Sequence, residues 1–187
     1  MKKSLVVIVV ITAVVAVLAM TFGGSYNSLV AIREEANTAW SQVQTQLQRR
    51  ADLIPNLVET VKGYASQEKE IYTAIADARS KLIGAQTPEE VSAANGELSS
   101  ALSRLLVIAE AYPQLKSDAN FRQLSDELAG TENRIARSRE EYNEAVKTYN
   151  TKIKSFPTVI FANMFGFEQL QYFEADQGSQ SAPKVSF

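Results

Sequence analysis

Hydrophobic and polar residues alternate in two different rhythms along this chain. From Leu5 to Phe22 the sequence is apolar except for Thr12 and Thr21. As a helix this run of 18 residues rises about 27 Å, enough to cross a hydrocarbon core with little tilt. Met1-Lys2-Lys3-Ser4 forms a short charged flank before it. A cleaved signal peptide is the competing reading, but the run is long for one and no clean Ala-x-Ala site follows. A helix that is apolar all round is also unlike a core helix of a small domain. The pattern therefore predicts an uncleaved anchor at 5–22 that holds the chain to the lipid bilayer. Lys2 and Lys3 before the run, against Arg33 flanked by Glu34 and Glu35 after it, bias the amino terminus to the cytoplasmic side.

After a Gly-rich junction at 23–25 the rhythm becomes heptad-like. Tyr26, Leu29, Arg33, Ala36, Trp40, Val43, Leu47, Arg50, Ile54, Leu57, Val61, Tyr64, Glu68, Ile71, Ile75, Ala78 and Leu82 step by three and four. That seam is the mark of long helices packed at shallow angles. Gly84 stops it. Thr87-Pro88-Glu89-Glu90 restarts a helix, with Thr87 as cap and Pro88 in the first turn. The second seam is Val91, Ala94, Leu98, Ala101, Leu105, Ile108 and Tyr112, ended by Pro113. Asp118 caps a third, running through Phe121, Leu124, Leu128, Thr131, Ile135, Ser138, Tyr142, Ala145, Tyr149 and Ile153 to Phe156, ended by Pro157. Pro55 interrupts the first seam without breaking its phase. Either Asp52 caps a new helix there, giving four helices, or one helix of about 59 residues is kinked at Pro55. The expected architecture is all-α: an up-and-down, antiparallel helical bundle over 26–156, behind an amino-terminal transmembrane helix. Segment 157–187 is different, aromatic at first and then polar.

Composition narrows the chemistry. The 187 residues include no cysteine and no histidine. Disulfides and thiol nucleophiles are excluded, and the commonest metal ligand and neutral-pH base are missing. A net charge of −2 offers no footprint for nucleic acid. Paired carboxylates on adjacent helices could suggest a di-iron site, but those bundles use Glu-x-x-His repeats. Arg49, Arg50 and Asp52 crowd the region of Pro55, and Glu68, Arg79, Glu110, Glu132 and Arg139 fall on or beside seams. Charges there require partners, so they read as interhelical ion pairs and caps that fix register. Tyr-Asn pairs recur at 26–27, 142–143 and 149–150. Each tyrosine is expected to bury its ring on a seam while the neighbouring amide bonds an adjacent helix or the surface. Trp40 reads as a core or interface anchor. The aromatics from Phe156 through Phe165, Phe167, Tyr172 and Phe173 serve either as a strap closing the bundle or as an exposed patch for a partner or the bilayer.

Several stretches resemble the LemA family. Tyr26-Asn27-Ser28-Leu29-Val30, Trp40, and Val43 through Val58 are similar to its opening motif. Glu110-Ala111-Tyr112-Pro113-Gln114-Leu115-Lys116 is similar to its central block. Thr131-Glu132-Asn133-Arg134-Ile135-Ala136, Arg139, Tyr142-Asn143 and Tyr149-Asn150 resemble the third block, and Phe156-Pro157 with Tyr172-Phe173-Glu174 the last. The resemblance implies a bacterial protein with one amino-terminal span and a helical-bundle domain. It carries no established enzymatic activity.

The reading that emerges is a non-enzymatic, membrane-anchored scaffold or interaction module, without cofactor, that associates with itself or with another membrane protein. The alternative is a sensor that holds a small molecule between helices. Polar residues on the seams are scattered singly in the sequence, which favours the scaffold, since a ligand site needs convergent polar groups.

Overall fold

A computed structural model describes the backbone of residues 2–174 and the side chains of 8–13 and 23–174. The polar tail from Asp176 and most side chains of the proposed span at 5–22 lie outside the described residues. Among the described residues no helix is long and apolar enough to cross a membrane. Six helical segments follow one another: α1 (Lys2–Lys62), α2 (Lys69–Gly84), α3 (Pro88–Glu110), α4 (Pro113–Ser117), α5 (Ala119–Lys154) and α6 (Thr158–Phe165). No strand occurs among the described residues. The fold is all-helical, as the seams predict, with more segments than the three or four expected.

Of the two expectations for Pro55, the continuous helix holds and the restart does not, although the helix ends sooner than expected. Pro55 lies inside α1, which neither restarts at Asp52 nor continues to residue 84. The break comes at Gly63 to Glu68, where Tyr64 and Ala65 both donate their backbone N–H to Val61 O, at 3.0 and 2.9 Å. The seam ran through this turn by coincidence. Tyr64 is exposed, whereas Ala65 is buried and its carbonyl accepts the Tyr72 hydroxyl at 2.7 Å. Proline removes the N–H that would bond Ala51 O four residues back. Arg79 of α2 supplies the replacement, its Nε donating to Ala51 O at 2.8 Å. The helix tolerates proline here because a neighbour satisfies the orphaned carbonyl. The Gly23-Gly24 junction is likewise helical, within α1.

The other stops fall where the residues place them. Thr87 Oγ1 accepts from Glu90 N while the Glu90 carboxylate accepts from Thr87 N, a reciprocal capping box. Backbone N–H donors from Gln86 first, then Thr87, hold the Glu90 carboxyl below its usual range. Asp118 caps α5 by accepting from Phe121 N at 2.9 Å.

The chain forms two compact units, Met1–Thr38 with Glu144–Leu170, and Ala39–Asn143 with Gln171–Phe187. The first has a small core of Leu29, Tyr149, Ile153 and Ala162, with Ile32, Phe167 and Leu170 against it. In the second, Val43, Leu47, Ile54, Leu57 and Val61 of α1 are buried, as are Ile71, Ile75 and Leu82 of α2. Leu98 and Leu105 of α3, Leu115 of α4, and Phe121 and Ile135 of α5 complete that core. Phe156 departs from its seam. It lies past the end of α5, next to Pro157, and is 83% exposed.

Candidate functional site

The most organised polar geometry belongs to α5 and the non-helical segment that follows α6. Gly166 turns the chain out of α6 with φ +70°, a left-handed value that suits glycine. In the first unit, Tyr149 donates its hydroxyl to Glu168 O at 2.9 Å. Asn150 takes both backbone groups of Leu170: its Nδ2 donates to Leu170 O and its Oδ1 accepts from Leu170 N, each at 2.9 Å. In the second unit the same device recurs. Tyr142 donates to Gln171 O at 2.8 Å, and Asn143 holds Phe173 through Nδ2 to O at 2.9 Å and N to Oδ1 at 2.8 Å. Burial raises the ionisation of both tyrosines above the ordinary phenol value, so the donating, neutral form is favoured.

Within each unit the amide meets one residue of the non-helical segment, Leu170 in the first and Phe173 in the second. An extended segment turns its own N–H and C=O groups outward, which is what a side-chain amide with one donor and one acceptor face can satisfy.

Around Phe173 the clasp is aromatic as well. Phe173 is 2% exposed. The Arg139 guanidinium lies over its ring at 4.3 Å and donates to Glu174 O at 3.0 Å. The Trp40 ring is 6.2 Å from Phe173 and 5.1 Å from Tyr142. Ser92 of α3 adds a hydrogen bond to Glu174 O at 2.9 Å. Trp40, Arg139, Tyr142, Asn143 and Phe173, scattered through the sequence, thus form one site. The aromatic segment divides: Phe161 and Phe173 are buried, while Phe156, Phe165 and Tyr172 are exposed. Phe165 and half-buried Phe167 stand edge-on to Tyr26, at 5.1 and 5.8 Å. The Tyr26-Asn27 pair does not follow the other two, because Tyr26 is 41% exposed.

A second constellation surrounds Arg50, which is buried on α1. Its guanidinium donates to Asn95 Oδ1 at 2.7 Å and Ser99 Oγ at 3.0 Å on α3, and pairs with Glu132 of α5 at 2.5 Å. This is an interhelical ion pair, the kind of partner expected for a seam charge. The polar groups converge, however, rather than lying singly. Asn95 and Ser99, one turn apart on α3, sit beside its seam and were not legible as partners. Beside them a cleft of about 230 Å³ is lined by Leu57, Leu102, Leu106, Leu128 and the hydroxyls of Ser99, Ser103 and Ser125. The Ser125 hydroxyl is buried and makes no hydrogen bond among the described residues.

The remaining candidates are placed singly. Arg49 and Asp52 are exposed on α1, Asp52 accepting from Gln48 at 2.8 Å. Glu110 pairs with Lys116 at 2.5 Å across the turn where Tyr112 and Pro113 start α4. Asn133 is exposed on α5, and the Phe156–Pro157 peptide is cis before α6.

A helical chain of two units, its tail held by a repeated tyrosine–asparagine clasp, is the class these observations define. The LemA family model matches residues 39–187, and the chain belongs to the LemA family. It is 29% identical over 174 residues to magnetosome protein MamQ of Magnetospirillum gryphiswaldense, covering 79% of this chain and 64% of the relative. It is 27% identical over 175 residues to magnetosome protein MamQ 2 of Paramagnetospirillum magneticum, covering 80% of this chain and 64% of that protein. Protein LemA of Metamycoplasma hominis is 27% identical over 158 residues, covering 82% of this chain and 71% of the relative. The chain thus spans just under two thirds of the length of the magnetosome relatives.

Proposed function

We propose that this chain is a non-enzymatic scaffold, tethered to the bacterial cell membrane through 5–22 with its helical units on the outer side, that presents helix faces to a second copy or to another membrane protein. One observation carries the reading. The polar side chains of α5 best suited to chemistry (Arg139, Tyr142, Asn143, Tyr149 and Asn150) all hold the chain's own backbone. What is left for a partner is helix surface, including Leu106 and Val107 of α3 at 46% and 72% exposure. The apolar run 5–22 supports the tether, and the lysines before it support the orientation. The test is purification of the full chain in mild detergent, followed by cross-linking and mass measurement. An oligomer or a stoichiometric partner lost in Val107→Glu supports the scaffold. A monomer with nothing attached defeats it.

The cleft beside Arg50 favours a second reading, a small uncharged amphipathic ligand between helices. Thermal-shift screening with such compounds tests it. A stabilising hit abolished by Ser125→Leu would move the function toward sensing.

A further inference from the structure

The first unit carries an apolar surface that its own core does not use. From Phe156 to Phe167 the sequence contains no charged residue. Thr158, Phe161 and Ala162 of α6 are buried. The opposite side exposes Ile160 at 53% and Met164 at 57%, with Phe156 just before the helix at 83%, while Phe165, on the buried side but at the helix end, is still 49% exposed. Ile160 and Met164 are four apart and so share a face. Lys152 and Lys154 are exposed in the last turn of α5, beside this segment.

The position of this face along α1 gives it an occupant. The ring of Phe165 is 5.1 Å from that of Tyr26. Tyr26 lies four residues past Phe22, the end of the apolar run, and α1 is helical throughout. Four helical residues rise about 6 Å. The headgroup layer on each side of the hydrocarbon core is about 5–8 Å thick. Tyr26 and, beside it, Phe165 at the end of α6 therefore fall at headgroup depth if 5–22 spans the core. Aromatic side chains are enriched at that depth, and flanking lysines suit anionic headgroups.

We propose that α6 is a second membrane contact: a short interfacial helix that seats Phe156, Ile160, Met164 and Phe165 in the headgroup–acyl boundary of the leaflet from which α1 emerges. The proposal rests on the reading of 5–22 as a span. Together the two contacts would fix the first unit against the bilayer at two points, where a single span alone would leave it free to swivel.

The chain has no cysteine, so single-cysteine labelling is direct. Ile11→Cys, Met164→Cys and Val107→Cys variants of the full chain, all at exposed positions, are labelled with an environment-sensitive fluorophore. They are then reconstituted into phosphatidylcholine–phosphatidylglycerol vesicles. Quenchers are placed on the lipid chains at shallow or deep positions. The label at 164 is expected to be quenched several-fold more by the shallow quencher than the label at 107, with emission shifted to the blue. The label at 11 is expected to respond most to the deep quencher. Quenching at 11 with none at 164 overturns the proposal and leaves the anchor standing. A blue shift at 164 without lipid quenching also overturns it, assigning the face to a protein surface or a second copy. Absence of quenching at 11 removes the anchor and this proposal with it.

Discussion

Replacing Asn143 with alanine should loosen the tail without unfolding the helices. The Asn143 amide makes two hydrogen bonds to Phe173, at 2.9 and 2.8 Å. Each contributes about 0.5–1.5 kcal/mol net, so the loss is about 1–3 kcal/mol of local stability. Opening of the tail then rises roughly 5- to 150-fold. Phe173 is 2% exposed, so its amide should exchange slowly with solvent in the parent chain. Hydrogen exchange read by mass spectrometry should show the peptide containing Phe173 accelerated by that factor. The amide of Leu170, held by Asn150, serves as comparator and should change less. The chain's only tryptophan is Trp40, 6.2 Å from the Phe173 ring, so its emission should move to the red when the tail lifts. Unchanged exchange at Phe173 would show that the amide pairing does not hold the tail.

Three further outcomes follow from the same geometry. Arg79→Met should cost about 1–3 kcal/mol by stranding the Ala51 carbonyl, and clearly less in a Pro55→Ala background, where residue 55 regains the N–H for it; additive effects in chemical denaturation would refute the exchange of donors. Leu57→Asp puts a charge where the side chain is 1% exposed and should destabilise the second unit by about 3–5 kcal/mol, seen as a lowered denaturation midpoint; an unchanged midpoint would count against that core. The raised ionisation of Tyr142 and Tyr149 stabilises the fold fully below pH 10, the ordinary phenol value, and that contribution is lost as pH rises through the raised value; the tail should release at alkaline pH, read as a red shift of Trp40, and Tyr142→Phe should weaken that pH dependence.

Helix seams and caps were legible because they depend on local rules. Thr87-Pro88-Glu89-Glu90 and Asp118 act as written, and the large buried side chains of α1 and α2 mostly follow their seams, whereas α3 also buries Ser92, Asn95, Leu102 and Ala109 beside its seam. The turn at Gly63 was hidden because it returns the chain to the same phase, with Ala65 taking the buried place that Tyr64 would have had. Pro55 could be read only with knowledge of its neighbour, since Arg79 replaces its donor from another helix. The clasp was half visible. The Tyr-Asn repeat at a spacing of seven pointed to hydrogen-bonding amides, but their targets are backbone groups, which carry no sequence signal. For the same reason the convergence of Asn95 and Ser99 on Arg50 escaped the pattern, because it depends on how α3 is turned toward α1.

The tether is the claim on which the proposed role depends, and alkaline carbonate extraction of membranes from expressing cells tests it most directly. The chain should stay in the membrane pellet with its amino terminus intact. A soluble product beginning near Gly23 would contradict it.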